Sequence, residues 1–253
     1  VYVGTRYDGL WYTDDGAATW NRVVAVPAGT APVGVTNVEF DYSAGSVDGR
    51  AKVIYAGVEG QGVYMSEDGG ATWRALQTDL TAGAVYPRRM AVSSDGNLYI
   101  TSITGILRTN LEENSTTAKT NGVYKYSRAA DTWANVTPVA SKGKPFGPIA
   151  VKPDDPDFIV AVEGYYAIAK VYVSQDGGAT WTYKGESYGA SAAFLFDPHN
   201  TEMVYDTHGS GIHKTLNFST QPIRWIAAGD GIEELCATKM LSLPDGTLHM
   251  GVL

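Results

Sequence analysis

Apolar side chains fall in short runs along this chain, some alternating with polar residues and some continuous, each cut off by Gly, Pro, Asn or Asp. That pattern predicts β-strands joined by tight turns. The runs come in fours. One set covers residues 35–43, 52–58, 62–66 and 72–76, and the next covers 88–94, 97–102, 122–127 and 132–136. A third covers 147–152, 158–163, 170–174 and 180–184, and a fourth covers 192–197, 203–207, 211–215 and 223–227. Each set predicts one antiparallel four-stranded sheet. At the two ends the sets are partial: residues 1–5 read as the second strand of a set without its first, and 247–253 as another second strand without its third and fourth.

A turn motif repeats between the third and fourth runs. Thr13-Asp14-Asp15-Gly16-Ala17-Ala18-Thr19-Trp20, Ser66-Glu67-Asp68-Gly69-Gly70-Ala71-Thr72-Trp73 and Ser174-Gln175-Asp176-Gly177-Gly178-Ala179-Thr180-Trp181 share the form [ST]-x-D-x-[GA]-x-T-W. Degenerate versions end on Trp133 and Trp225, so the closing Trp recurs at intervals of 53, 60, 48 and 44 residues. The motif resembles the Asp-box of BNR-type β-propellers, and a recurrence of this length signals stacked repeats. Its physics is that of a turn: the carboxylate accepts backbone N–H bonds, Gly permits positive φ, and the Trp packs between neighbouring sheets. Asp15, Trp20, Asp68, Trp73, Asp176 and Trp181 are therefore expected to be structural. Ala17 replaces the Gly of the other copies, which predicts some strain in that turn.

The chain is accordingly expected to be all-β: a β-propeller segment of four-stranded antiparallel blades with Asp-box turns, four of them complete over about 35–227 and two partial at 1–26 and 235–253. An incomplete part of a seven-bladed ring fits these ends. A five-bladed ring closed by residues 235–243 remains the alternative, and it leaves 247–253 surplus. No run approaches the roughly 20 apolar residues of a membrane-spanning helix, and the chain opens on Val1-Tyr2-Val3-Gly4, which reads as strand rather than as a signal peptide. No membrane partner is expected.

Composition agrees and narrows the chemistry. Among 253 residues, 29 Gly, 11 Pro and 16 Tyr favour turns and pleated surfaces, and 44% hydrophobic with 18% charged residues suits a globular core. A net charge of -8 has the wrong sign for a phosphate backbone, so nucleic acid is not an expected partner. One cysteine, Cys236, excludes an intrachain disulfide. The four His residues lack metal-ligand spacing, and His213 and His249, on predicted strands, read as packing residues. No P-loop, dinucleotide fingerprint or nucleophile elbow occurs, and no cofactor or metal is expected.

Strand parity separates two faces. The repeated turns share one with tight turns such as Ser94-Asp95-Gly96-Asn97, and that face is occupied with turn geometry. Function is expected opposite, on the loops at 5–9, 59–61, 104–121, 164–167 and 208–210 and the connections at 81–87, 140–146, 186–191 and 229–234. There Tyr7, Tyr86, Tyr165, Tyr166 and Tyr188, with Arg6, Asp8, Glu233 and Glu234, make a platform suited to carbohydrate: aromatic faces stack on sugar C–H surfaces while acids and Arg bind hydroxyls.

These residues also carry a resemblance to glycoside hydrolase family 74, the xyloglucanases, built from two seven-bladed propellers flanking a substrate cleft. Val1-Tyr2-Val3-Gly4-Thr5-Arg6 through Gly9-Leu10-Trp11 looks like the family's third blade, and Val35-Thr36-Asn37-Val38-Glu39-Phe40-Asp41 like its following inner strand. Gly122-Val123-Tyr124-Lys125-Tyr126 with Asp131-Thr132-Trp133 resembles another family segment. The most specific match is Gly231-Ile232-Glu233-Glu234, followed by Leu243-Pro244-Asp245-Gly246-Thr247-Leu248. The resemblance places the chain at blades three to seven of the first propeller. It implies a secreted, inverting hydrolase of β-1,4-glucans such as xyloglucan, with a plant-type polysaccharide and the parent's second propeller as partners. The family's two catalytic aspartates would lie before Val1 and after Leu253, so no catalytic residue is expected in this chain. Tyr165-Tyr166 stands where the family tends to carry a Trp-rich loop, which leaves the exact glycan open. A non-catalytic propeller acting as a binding or assembly module is the alternative, decided by the flanking sequence.

Overall fold

The computed structural model describes residues 1–29, 33–76, 86–103, 121–164, 169–188, 191–209, 211–231, 237–242 and 247–252. They fall into two compact units, Val1–Val136 and Thr137–Leu253. All the strand pairings are antiparallel between chain neighbours, because each short run is followed by a turn that folds it back on its predecessor.

The first unit holds three sheets. Strands β1 (Tyr2–Gly4), β2 (Leu10–Tyr12) and β3 (Asn21–Arg22) form the first. The second is β4 (Val35–Val47), β5 (Arg50–Val58), β6 (Gly62–Ser66) and β7 (Arg74–Leu76), and the third is β8 (Pro87–Val92), β9 (Leu98–Ser102), β10 (Gly122–Ser127) and β11 (Thr132–Asn135). Two apolar layers join them. Leu10, Val23 and Val26 meet Val35, Ala56 and Val58, while Val53, Tyr55, Val63, Met65 and Leu76 meet Met90, Leu98, Ile100, Tyr124 and Tyr126. A sheet with two apolar faces is stable only between neighbours, which is why the middle strands read as continuous apolar runs.

In the second unit a short 3-10 helix (Val139–Ser141) leads into β12 (Phe146–Lys152), β13 (Asp155–Glu163), β14 (Ala169–Ser174) and β15 (Thr182–Ser187). Then come β16 (Ala193–Phe196), β17 (Val204–His208), β18 (Gly211–Thr215) and β19 (Ile226–Ala227), and a pair, β20 (Ala237–Ser242) with β21 (Leu248–Val252). Between the two four-stranded sheets lie Phe158, Val160, Val162, Val171 and Val173 against Phe194, Phe196, Val204 and Phe218. Thus the four strand quartets expected from the sequence form four antiparallel sheets, and among the described residues no helix is long and apolar enough to cross a membrane.

One hairpin is longer than expected. Strands β4 and β5 run past 43 and start before 52, because Asp48 and Gly49 take φ of 50° and 74° at its tip. Paired positive φ values make the primed turn whose twist matches the strands, and Asp-Gly is its favoured sequence. The reading of 35–43 and 52–58 overlooked that dipeptide.

All three repeated turns adopt one hydrogen-bond set. The Thr13, Ser66 and Ser174 hydroxyls each donate to the following Asp Oδ1 at 2.8 Å and accept from the backbone N–H of Ala17, Gly70 or Gly178. Thr19, Thr72 and Thr180 donate both N–H and hydroxyl to the same carboxylates. Those bonds, the Thr19 hydroxyl foremost, hold the Asp15 carboxyl down at about 2, and in the same way the Thr180 hydroxyl lowers Asp176. For Asp68 desolvation pushes upward, and the bonds from Thr72 and Ser66 outweigh it. Ala17 has φ of 72° where its counterparts are Gly70 and Gly178, a conformation that costs a residue with a Cβ about 1 kcal/mol. Trp73 reaches the first sheet, edge-on to Tyr2 at 6.0 Å, whereas Trp20 is 40% exposed. Trp181 is half-buried.

Ion pairs link successive sheets near these turns: Asp14 with Arg50, Arg74 with Asp131 at 3.0 Å, and Lys152 with Glu202 at 2.7 Å. Asp41, 1% exposed, accepts from the Ser43 N–H at 2.9 Å and lies 3.2 Å from the Arg128 Nε, close enough for charge pairing but off hydrogen-bond geometry. This end of each unit is occupied with holding sheets together.

Candidate functional site

The opposite strand ends carry the loops from which the candidate residues project. In the first unit, the β1–β2 loop is closed by Thr5, whose N–H and hydroxyl both donate to the Gly9 carbonyl, at 2.9 and 2.8 Å, and whose hydroxyl accepts from the Asp8 N–H. The clamp leaves Arg6, Tyr7 and Asp8 exposed, Tyr7 by 64%. Gly34 fixes where this loop sits. Its neighbour Val35 donates to the Thr5 carbonyl at 3.0 Å, and a Cβ on Gly34 would stand 2.1 Å from that oxygen, so no other residue permits the approach. The Gly34 carbonyl in turn accepts from the Glu59 N–H at 2.9 Å, which brings the β5–β6 loop alongside.

Glu59 is half-buried, and desolvation raises its carboxyl above the usual range against the pull of the Arg88 guanidinium. Arg88 is placed by its neighbours' side chains, since Asn37 donates to the Arg88 carbonyl at 3.0 Å and Thr36 to that of Pro87 at 2.8 Å. Tyr86 enters the same strand, half-buried, with its N–H donating to the Ser102 hydroxyl at 3.2 Å. Thus the loop that carries Arg6, Tyr7 and Asp8 and the loop that carries Glu59 are both tied to the 34–35 segment, with Arg88 acting on Glu59. Glu59 lay on the loop face in the sequence reading but was not singled out.

The second unit places Tyr188, 42% exposed, directly after β15. Beneath it is a cluster that the sequence reading missed. Asp206 and His208 lie on one face of β17, and the β17–β18 register, Asp206 opposite His213 and His208 opposite Gly211, sets His213 beside them. His208 Nε2 is 2.7 Å from His213 Nδ1, and the Tyr188 ring stacks on His208 at 4.5 Å and lies tilted against His213 at 4.3 Å. Asp206, with no exposure, accepts from the hydroxyls of Ser187 and Ser191, the latter at 2.5 Å. Burial pushes its carboxyl up to about 7 despite those two donors. Desolvation, and after it His213, lowers His208 to about 4. Elsewhere in the same unit, Glu163 accepts from Ser141 and pairs with Lys170 at 3.7 Å.

Tyr165, Tyr166, Glu233 and Glu234, together with Cys236, lie outside the described residues. No group of three His, Cys, Asp or Glu side chains converges as a metal site among the described ones.

Four-stranded antiparallel blades of this form define a β-propeller fold, and their loop ends carry exposed tyrosines and an exposed acid, Asp8. No protein-family model matches the chain. It is 30% identical over 243 residues to a xyloglucanase of a Paenibacillus species, covering 88% of this chain and 22% of that protein. It is 29% identical over 205 residues to a xyloglucanase of Acetivibrio thermocellus, covering 72% and 23%. The crystal structure of a family 74 enzyme from Niastella koreensis superposes with a TM-score of 0.72 at 25% identity, over 99% of this chain and 39% of that one. The chain is a homologue of a stretch of the glycoside hydrolase family 74 xyloglucanases, and it spans less than a quarter of the length of these two curated relatives.

Proposed function

We propose that the chain is part of an extracellular glycoside hydrolase that acts on xyloglucan, and that it supplies one wall of the polysaccharide cleft. The likeness to a xyloglucanase over 88% of the chain carries this reading. In support, Tyr7 is exposed and held on a clamped loop, Tyr86 stands half-buried at a strand entry, and Arg6, Asp8 and Glu59 offer hydroxyl partners around them. Tyrosine faces suit the C–H surfaces of a glucan backbone, and charged groups fix the orientation of its hydroxyls. Tyr165, Tyr166, Glu233 and Glu234 extend the wall in this proposal. Chemistry falls to two aspartates outside the chain, acting by inversion as acid and base with room for a water between them. The second propeller of the parent protein supplies the opposite wall. Asp15, Asp68 and Asp176 serve the turns and take no part in chemistry.

The test is binding of xyloglucan oligosaccharides, followed by calorimetry. Tyr7→Ala and Tyr86→Ala are each expected to weaken affinity roughly 3- to 10-fold with the circular dichroism spectrum unchanged. Unchanged affinity in both would remove these two residues from the wall.

A further inference from the structure

The Tyr188 cluster does more than fill space. Asp206 holds the Ser187 and Ser191 hydroxyls, so both flanks of the segment that carries Tyr188 are tied to one buried carboxyl. The His208 and His213 rings lie 4.7 Å apart at 27°, and Tyr188 is stacked on His208 at 20° and tilted by 35° to His213. Two imidazoles joined through their facing nitrogens, their planes 27° apart, make a shallow bed for a third ring, and 42% of Tyr188 remains exposed. The bed exists only in some protonation states. One N–H between His208 Nε2 and His213 Nδ1 makes a hydrogen bond, whether the pair is neutral or carries a single added proton. A second added proton puts N–H groups on both facing nitrogens, and they repel.

We propose that Tyr188 is a saccharide-stacking platform whose plane is set by the His208–His213 pair, and that the platform is lost when both imidazoles are protonated. This rests on the carbohydrate-binding reading above and adds to it a subsite and its regulation. His208 and His213 are positioning residues; Tyr188 makes the contact. Among the described residues, the ionisable groups on the same side as the pair are Asp206 from β17 and the Tyr188 hydroxyl from the segment after β15. Tyr205 and Lys214 alternate to the other side of their strands, as does Glu186 relative to Ser187. Lys239 is the charged residue of β20, which packs against β17; its side chain lies outside the described residues. Desolvation keeps both imidazoles uncharged at neutral pH, lowering His208 to about 4 and His213 in the same direction, so the loss falls in acid.

The experiment follows the Tyr188, His208 and His213 ring signals by NMR of the full chain from pH 7.5 to 3.5, with xyloglucan oligosaccharide titrated in at each pH. Expected are a joint movement of both imidazoles, collapse of the Tyr188 ring-current shift in the same step, and at least a tenfold fall in affinity. Tyr188→Ala should remove that pH dependence. His213→Gln, which can still bond His208 but takes no proton, should flatten the acid limb and weaken binding less than His213→Ala does. A Tyr188 shift that persists to pH 3.5 would overturn the switch. Neutral-pH affinity unaltered by Tyr188→Ala would overturn the platform while leaving the carbohydrate reading intact. Absence of binding at every pH would take down both.

Discussion

Replacing Asp206 by Asn is expected to stabilise the protein at alkaline pH and to uncover a rise of stability with pH in acid. Asp206 has no exposure and only two serine hydroxyls as partners, so its folded carboxyl holds a proton up to about 7, against 3.8 ordinarily. Between those values the folded state binds a proton that the unfolded state has released. Stability therefore falls as pH rises from about 4 to 7, and above 7 the full penalty of a buried carboxylate is present. A shift of this size corresponds to about 4 kcal/mol, of which an Asn that accepts from one serine and donates to the other should recover roughly 2–4 kcal/mol at pH 8. His208 works in the other direction. Lowered to about 4 from 6.5, it stays neutral in the folded state while the unfolded state charges, so it makes stability rise with pH across that window. The two slopes oppose each other in the parent. Asp206→Asn should expose the His208 slope, giving melting temperatures that climb from pH 4 to 6.5 and exceed the parent's by several degrees at pH 8. Melting curves parallel to the parent's across pH 4 to 9 would contradict the assignment.

Phe218→Ala should be the most damaging single change in the second unit. Phe218 is fully buried and meets Phe158 and Phe196 at 6.3 and 5.9 Å, close to edge-on in both cases, while those two meet each other at 6.1 Å. Each ring presents its electropositive edge to another's face, so the triad gains beyond its area and leaves no room for collapse. The turn that carries Phe218 is pinned by its N–H donating to the Glu202 carbonyl at 2.8 Å, so the backbone cannot move in to refill the space. A cost of about 3–5 kcal/mol is expected, read as a lower denaturant midpoint, with Phe218→Leu losing a fraction of that. A cost below about 1 kcal/mol would mean that the site relaxes.

The repeated turns were legible because their chemistry is local. Each Asp, its Thr four residues on and the residue two beyond the Asp belong to one hydrogen-bonded unit, so eight residues of sequence contain the whole of it. Ala17 was legible for the same reason: two adjacent positions in the motif take positive φ, and at the second of them the sequence shows a Cβ. The strand quartets followed from alternation and turn residues, and the Asp48-Gly49 tip was readable but passed over. The Asp206, His208 and His213 cluster was not read. Its residues are spaced 206, 208 and 213, which becomes meaningful only once the hairpin register sets Asp206 opposite His213, and once Ser187 and Ser191 arrive from the preceding sheet. Gly34 is similar: the sequence shows a glycine, and the need for it comes from the Thr5 carbonyl of another sheet. Non-local approach, which composition and periodicity do not encode, separates the two groups.

On the proposed function, this chain recognises xyloglucan without itself supplying the catalytic acids. One measurement addresses both halves: electrophoresis of the folded chain through gels cast with xyloglucan or with an unrelated polysaccharide, paired with a reducing-end assay on the same xyloglucan. Retardation in the xyloglucan gel alone, with no reducing ends released, is the predicted result. Equal mobility in both gels would contradict recognition, and reducing ends that disappear on replacing one of the chain's own acids would contradict the placement of the catalytic pair outside it.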